Sequence, residues 1–224
     1  MAPDMTAARL PVVILLSGRG TNLQAIIDEV RAGNLPIDIR AVISSNPKAA
    51  GLARARAAGL RTGIVDHRTY PTRAAFDRAL IAAIDTHAPK LVALAGFMRI
   101  LGREFIEHYR GRLINIHPSL LPQFPGLDTH TRALAAGAKQ HGASVHFVTP
   151  EVDAGPIIIQ AALPVLPGDT PETLAERVLK EEHRILPLAL RWFAEGRLTI
   201  RDGRVLLDGK PRPEQHLVGK PLRD

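Results

Sequence analysis

Short apolar runs alternate along the first half of the chain with segments whose apolar residues recur every three or four positions. The runs are rich in Val, Ile and Leu and end at Gly, Ser, Asn or Pro, which predicts buried strands at 11–16, 37–43, 62–65 and 91–95. The helical spacing of Leu23, Ile26, Ile27 and Val30, after Thr21 as a possible N-cap, predicts a helix, and two more are predicted at 48–58 and 72–86. Strands that alternate with helices predict an α/β fold with a doubly wound, mostly parallel sheet.

The second half of the chain continues this pattern less regularly. Strands are predicted at 112–116, 144–148 and 157–161, and helices at 129–136 and 170–194, the last bent at Pro187. Two of these strands follow each other without an intervening helix, which predicts some antiparallel pairing in the C-terminal half. Asp202-Gly203 between two short apolar runs predicts a hairpin. We expect a single domain over 1–224, with a core at about 10–208 and mobile ends at 1–9 and 209–224.

Composition narrows the class of protein. The chain has 224 residues, 46% hydrophobic and 23% charged, which is ordinary for a soluble globular protein. It has no cysteine, which excludes disulfides and thiolate metal sites and favours a reducing cytoplasm. The net charge of +7 is compatible with nucleic acid, an anionic surface or anionic small molecules. Scattered charges and an aromatic content of 4% favour a solvated basic surface, so we expect no nucleic-acid partner. The longest apolar stretches, at 10–16 and 91–98, are far shorter than the ~20 residues of a spanning helix, so we expect no membrane partner.

A glycine-rich turn, Ser17-Gly18-Arg19-Gly20-Thr21-Asn22, separates the first predicted strand from the first predicted helix. Glycines let a backbone approach an anion, and a helix N-terminus offers free N–H groups. Leu23 replaces the third glycine of a dinucleotide fingerprint, and the Gly-Lys-Ser/Thr end of a P-loop is missing. The turn therefore has two interpretations: a site for a single phosphate, or a tight connection without a ligand.

Two polar side chains, Asn115 and His117, stand two positions apart at the end of a predicted strand and before Pro118. Residues at i and i+2 of a strand share a face, so an amide and an imidazole project together at the carboxyl edge of the sheet. Such a pair can stabilise an oxyanion and move a proton, or it can simply cap a loop. Asp153 lies in a loop between two predicted strands and could orient His117, or serve only as a turn residue.

Several of these segments together resemble the folate-dependent formyltransferases. The resemblance rests on the sequences at 17–27, 94–101, 115–122, 141–149 and 153–160, and it covers roughly residues 11–208. It implies a Rossmann-like formyltransferase fold. It also implies transfer of the formyl group of 10-formyltetrahydrofolate to the amine of 5'-phosphoribosylglycinamide, in purine biosynthesis, without a metal. The partners would be these small molecules, and the protein a cytoplasmic monomer or homodimer.

The resemblance also implies roles for particular residues. Asn115 and His117 would bind the formyl oxygen, with His117 as the proton donor and Asp153 supporting its protonated ring. The phosphoribosyl substrate would contact Gly20, Thr21, Asn22 and Glu182. Folate would contact Arg73, Met98, Arg99, Ile100, Leu101, Asn115, Thr149, Pro150, Glu151, Val152 and Asp153. The segment 118–125 matches a mobile loop over the folate.

Departures from the family pattern are few. Leu179 stands where some members have Gln beside the phosphate, and the neighbouring Lys180 could supply charge there. Ala154 replaces a glycine, which is harmless at a negative φ. Related tRNA formyltransferases and formyltetrahydrofolate deformylases carry further domains, for which we expect no room in this chain.

Two functions from other classes compete with the transferase. A hydrolase would release formate from the same folate, with water in place of the amine, and would not need the phosphate turn. A nucleic-acid-binding module would be explained by net charge alone, and its binding would weaken steeply with salt.

Overall fold

A central sheet organises the computed structural model, which describes residues 9–212 and 215–218. The described residues form ten strands: β1 (Leu10–Leu16), β2 (Ile37–Ser44), β3 (Thr62–Ile64), β4 (Leu91–Leu94), β5 (Leu113–His117), β6 (Gln140–Phe147), β7 (Ile157–Pro164), β8 (Leu198–Arg201), β9 (Arg204–Leu207) and β10 (His216–Val218). Strands β8 and β9 form a separate hairpin, and the other eight form the sheet in the order β10-β7-β6-β5-β4-β1-β2-β3. Strand β6 runs antiparallel to both β5 and β7, whereas all other neighbours in the sheet are parallel. The predicted mixture of parallel and antiparallel pairing is confirmed.

Helices cover both faces of this sheet. They are α1 (Thr21–Arg31), α2 (Ala50–Ala57), α3 (Arg73–Asp85), α4 (Arg103–His108), α5 (Thr129–Ala135) and α6 (Pro171–Ala194), with a short 3₁₀ turn at His67–Thr69. Alternate residues of β1 point to opposite faces of the sheet, and each face is covered by a different set of helices. Val12, Ile14 and Leu16 pack in the core under α1, α2 and α6, while Val13 and Leu15 pack in the core under α3 and α4. This two-sided burial explains why β1 is a continuous apolar run.

The structure changes several predicted boundaries. Helix α4 was not predicted, because its six residues carry only Phe105 and Ile106 as buried apolar positions. Strand β6 begins at Gln140 rather than at 144. Its first two residues, Gln140 and His141, are polar, so they do not extend the apolar pattern from which the strand was predicted. Thr21 is the first residue of α1, and the N-cap is Gly20. Helix α6 continues through Pro187.

The C-terminal segment extends the sheet past residue 208. The predicted hairpin is confirmed as β8 and β9, and β10 pairs in parallel with β7. Buried Gln215 fastens this segment, because its Nε2 donates to the carbonyls of Ile158 and Val205, both at 3.1 Å. Residues 1–8, 213–214 and 219–224 lie outside the described residues, so mobility there stays a prediction. No helix among the described residues is both long and apolar enough to cross a membrane.

Candidate active site

A cavity of about 800 Å³ opens at the carboxyl ends of β1, β2, β4 and β5. Its walls come from the segments 17–22, 45–46, 67–68, 95–96 and 98–99, from Ile116 and Pro118, and from side chains of α5 and α6. Doubly wound sheets bind ligands at this edge, where loops diverge from neighbouring strands. The segment predicted from the glycines and the segment around Asn115 and His117 therefore meet at one place.

The glycine-rich turn is shaped by contact between two helices. Gly20 has a left-handed backbone with φ 72°, and a Cβ there would lie 2.5 Å from the Cα of Gly51 in α2. The backbone N–H of Gly51 also donates to the carbonyl of Gly18 at 3.0 Å. Gly18 itself is exposed, and a Cβ there would meet nothing within 4 Å. Only Gly20 is therefore a structural requirement of the turn.

The N-terminus of α1 faces the cavity through Thr21 and Asn22. Among the described residues no side chain caps this end of α1. Its first backbone N–H groups and the positive end of its dipole are therefore available to an anion. The local structure supplies what a single phosphate needs.

Asn22 and Glu182 join α1 to α6 at the wall of the cavity. The Nδ2 of Asn22 donates to Oε2 of Glu182 at 2.7 Å, and its Oδ1 has no partner among the described residues. Burial raises the pKa of Glu182, against the opposing effects of the Asn22 hydrogen bond and the nearby Arg19. Leu179 lines the cavity one turn earlier, whereas Lys180 is exposed.

The side chain of Ser17 links three segments at the edge of the sheet by hydrogen bonds. Its Oγ is 2.8 Å from Oγ of Ser45, at the end of β2, and accepts the backbone N–H of Met98 at 2.9 Å. The ends of β1 and β2 and the segment after β4 are thus fixed to one hydroxyl. The sequence pattern predicts no role for Ser17, because the two hydrogen bonds join residues far apart in the chain.

Asn115 contacts a histidine that the sequence analysis did not single out. In the register of β5 and β6, Asn115 lies opposite His146, and Asn115 Nδ2 is 3.2 Å from His146 Nε2. The other ring nitrogen of His146 is 2.9 Å from the Phe147 carbonyl, which can only accept, so Nδ1 carries the proton and Nε2 accepts from Asn115. Burial lowers the pKa of His146, which favours this neutral form.

His117 lies between a carboxylate and a loop carbonyl. Its Nδ1 is 3.4 Å from Oδ2 of Asp153, and its Nε2 is 3.0 Å from the carbonyl of Phe124. Asp153 Oδ2 also accepts the backbone N–H of Gly126 at 2.8 Å, and its Oδ1 is 3.7 Å from His146 Nε2. The three predicted catalytic residues thus form one cluster with His146, in which the two histidines are buried and Asn115 and Asp153 are half-buried.

The loop after β6 brings Asp153 to this cluster. A Cβ on Gly155 would lie 1.8 Å from the Phe147 carbonyl, so the loop packs closely against the end of β6. Asp153 adopts the left-handed conformation with φ 52°, which Asp tolerates better than most residues. The residue with positive φ in this loop is therefore Asp153, not the following Ala154.

The residues predicted to contact folate lie in different places. Met98 and Arg99 line the main cavity, and Arg99, Ile100 and Arg73 line a neighbouring cavity of about 370 Å³. Leu101 is buried in the core below them. The segment 149–152 forms a turn beside Asp153 rather than a wall of either cavity.

Comparison with known proteins agrees with this architecture. Residues 10–190 match the family described as formyl transferase. The chain is 50% identical over 204 residues to the phosphoribosylglycinamide formyltransferase of Escherichia coli, covering 91% of this chain and 96% of that protein. The phosphoribosylglycinamide formyltransferase structure from Coxiella burnetii is 54% identical, with a TM-score of 0.87 over 94% of this chain and 99% of that chain.

A structure of a different activity is also similar, at lower identity. The formyltetrahydrofolate deformylase from Burkholderia mallei is 32% identical, with a TM-score of 0.81 over 89% of this chain and 70% of that chain. Both activities move a formyl group, and they share the fold described above. With 181 of its residues, 10–190, inside the family match, this chain belongs to the formyl transferase family.

Proposed function

We propose that this protein transfers the formyl group of 10-formyltetrahydrofolate to the amine of 5'-phosphoribosylglycinamide, giving the formylated ribonucleotide and tetrahydrofolate in purine biosynthesis. The observation that carries the proposal is a juxtaposition. The wall of one cavity includes the uncapped N-terminus of α1 and also Ile116 and Pro118, which flank His117 in the cluster of an amide, an imidazole and a carboxylate. The high identity to proteins named phosphoribosylglycinamide formyltransferase supports the same substrates for this chain.

The phosphate end of the cavity holds the ribonucleotide in this proposal. Gly20, Thr21 and Asn22 offer backbone N–H groups at the start of α1, where a phosphate is stabilised by the helix dipole. The free Oδ1 of Asn22 and the buried carboxylate of Glu182 accept hydrogen bonds from the ribosyl part or the amine. Binding through the phosphate fixes the amine near the reacting carbon, which lowers the entropy cost of the reaction.

At the catalytic end, Asn115 and His117 stabilise the oxygen of the formyl group as it becomes an oxyanion. Asn115 uses one N–H on His146, so its second amide hydrogen remains to donate. Asp153 orients His117 through Nδ1, which leaves Nε2 as the proton-donating atom. His117 then protonates the nitrogen that leaves the formyl carbon.

The folate would lie along the second cavity. Arg73 and Arg99 at its wall provide positive charge for the carboxylates of the glutamyl tail. Exposed Met98 and Ile100 offer apolar contact to a ring, above buried Leu101. Thr149, Pro150, Glu151 and Val152 would contact the pterin from the turn that carries Asp153.

Product analysis separates this function from the deformylase activity of the similar structure. The protein is incubated with 10-formyltetrahydrofolate alone and then with added ribonucleotide, while formate and formylated ribonucleotide are measured. We expect formylated ribonucleotide in proportion to tetrahydrofolate, and little formate in either incubation. Rapid formate release without the ribonucleotide, and no formylated ribonucleotide with it, would replace the transferase with the hydrolase.

A further inference from the structure

Two histidines that the proposed mechanism does not use form a pair beside the cavity. His130, in the first turn of α5, lies on the cavity wall, and His141 in β6 is fully buried. His130 Nδ1 is 3.2 Å from His141 Nε2, and the rings are nearly perpendicular with centroids 5.2 Å apart. A hydrogen bond therefore joins a buried ring to a ring at the cavity.

The start of α5 is anchored next to His117. Thr129 Oγ1 donates to the carbonyl of Pro118 at 2.7 Å, so the first turn of α5 is held against the residue that follows His117. Burial lowers the pKa of the His130 ring, and the charge of His117 adds a smaller effect in the same direction. His130 thus lies within electrostatic reach of the proposed proton donor.

The protonation of His141 decides the direction of the hydrogen bond in this pair. Burial lowers the pKa of His141 to about 4, so the ring is neutral at neutral pH and has one N–H. Its Nδ1 has no hydrogen-bond partner among the described residues, and its Nε2 is the nitrogen that faces His130. With the proton on Nδ1, Nε2 is the acceptor of the pair, and His130 Nδ1 is the donor.

In this form His130, which lies on the cavity wall, has an unprotonated Nε2 that is not used in the pair. Burial lowers its pKa, and the charge of His117 lowers it further, so the ring is neutral and able to accept a proton. His117 on β5 and His141 on β6 interact with His130. The titratable and charged groups that line the cavity with it are Arg19, His67, Arg68, Arg99, and Glu172, Glu176 and Glu182 on α6.

We propose that His130 accepts the proton that the attacking amine loses, and that His141 positions His130 for this step; the inference rests on the proposed formyl transfer. As the amine nitrogen bonds to the formyl carbon, its N–H bond breaks and the proton goes to His130 Nε2. The bond from the formyl carbon to the donor nitrogen then breaks, and that nitrogen takes a proton from His117. One proton enters at His130 and one leaves at His117, and exchange with solvent restores both rings.

The substitution His130→Asn tests the step directly. The Asn amide occupies the place of Nδ1 and can still donate to His141, but it has no group at the position of Nε2. We expect kcat to fall by about 10²–10³-fold, within the usual range for a lost general base, with little change in folate affinity. The matched control is His87→Asn, which removes another histidine whose pKa is lowered by burial, but outside the cavity; we expect wild-type rates.

The pH profile distinguishes proton transfer from a merely structural role. In the unsubstituted protein, kcat/KM for the ribonucleotide should fall on acidification as His130 becomes protonated, and His130→Asn should lose this dependence. His141→Gln, whose Oε1 can accept in place of Nε2, should retain most activity, whereas His141→Leu should not.

Wild-type kcat with an unchanged pH profile in folded His130→Asn would overturn the inference while the transferase function stands. Failure of the unsubstituted protein to formylate the ribonucleotide would overturn both.

A second measurement needs no substitution. In protein labelled with ¹⁵N-histidine, the two ring nitrogens of a neutral histidine have different chemical shifts according to which carries the proton. We expect His130 at neutral pH to carry its proton on Nδ1. A proton on Nε2 would contradict the proposed acceptor, whatever the folding of the variants.

Discussion

The two ends of the cavity are built in different ways. The phosphate end is a run of consecutive residues, 17–22, whose shape depends on backbone geometry and on the contact of Gly20 with Gly51. The catalytic end is assembled from β5, β6 and the loop before β7, and it depends on side chains that meet only in the folded sheet. Substitutions that add side-chain volume should therefore disturb the phosphate end most. Substitutions that remove single polar atoms should disturb the catalytic end most.

The largest expected effect is at the catalytic end. His117→Ala removes the proposed proton donor and should lower kcat by about 10²–10⁴-fold, the usual contribution of a general acid. Because the phosphate end is separate, the KM for the ribonucleotide should change little. Steady-state kinetics with each substrate varied in turn measures both quantities. Near-normal turnover by the folded variant would remove His117 from the mechanism.

Asn115→Asp tests the same end with almost no change in shape. It replaces a donor amide with a carboxylate where negative charge develops, and a lost oxyanion donor costs about 10²–10³-fold in kcat. Folate binding, measured by fluorescence or calorimetry, should persist. A variant that binds folate and transfers formyl at the wild-type rate would contradict the oxyanion role.

At the phosphate end, two alanine substitutions should behave differently. Gly20→Ala combines a left-handed φ with a Cβ 2.5 Å from Gly51, and strain and overpacking together should cost about 2–4 kcal/mol of stability. Gly18→Ala, with no atom within 4 Å of its Cβ, should remain within about 0.5 kcal/mol of wild type. Urea unfolding compares them. Equal stabilities would show that the Gly20–Gly51 contact is unimportant to the turn.

The smallest effect expected is that of Glu182→Gln. If the carboxylate binds the ribonucleotide, the KM should rise about tenfold or more, the size of one charged hydrogen bond. The same substitution should increase the free energy of unfolding relative to wild type at neutral pH, although it weakens substrate binding. The folded-state pKa of Glu182 is raised, so its ionisation costs stability as the pH rises above its ordinary value of 4.5, and this cost is absent below it.

Unfolding of wild type and Glu182→Gln at several pH values checks the sign. The stability of the Gln variant relative to wild type should increase from pH 4 to pH 8. A constant difference across this range would mean that Glu182 does not titrate abnormally. An unchanged KM would instead remove Glu182 from the proposed substrate site.

The position of the glycine-rich turn was easier to predict from the sequence than the arrangement of the cluster around His117, for a physical reason. The turn is a local pattern between a strand and a helix, and its position at the cavity follows from that order. The contact of His146 with Asn115 depends on the register that places the two residues opposite each other, and no local pattern encodes the register of antiparallel strands. Asp153 was a candidate from its place in the loop, but its spacing alone could not show that it meets His117.

The same distinction applies to the fold. Strands buried on both faces, such as β1 and β4, were recognisable as continuous apolar runs. Strand β10 was missed, because its pairing with β7 depends on the buried side chain of Gln215, which resembles a surface residue in sequence. The pair His130–His141 was missed likewise, since two polar residues on different elements give no periodic signal.

The hydrogen bond between His117 and the Phe124 carbonyl bears on the order of events in a catalytic cycle. In the structure, His117 Nε2 is 3.0 Å from this carbonyl, which belongs to the segment 118–125. In the proposed mechanism the same nitrogen gives its proton to the leaving nitrogen, so the loop carbonyl and the leaving nitrogen are alternative acceptors for one proton. The position of the segment 118–125 would therefore set when His117 can act as a donor.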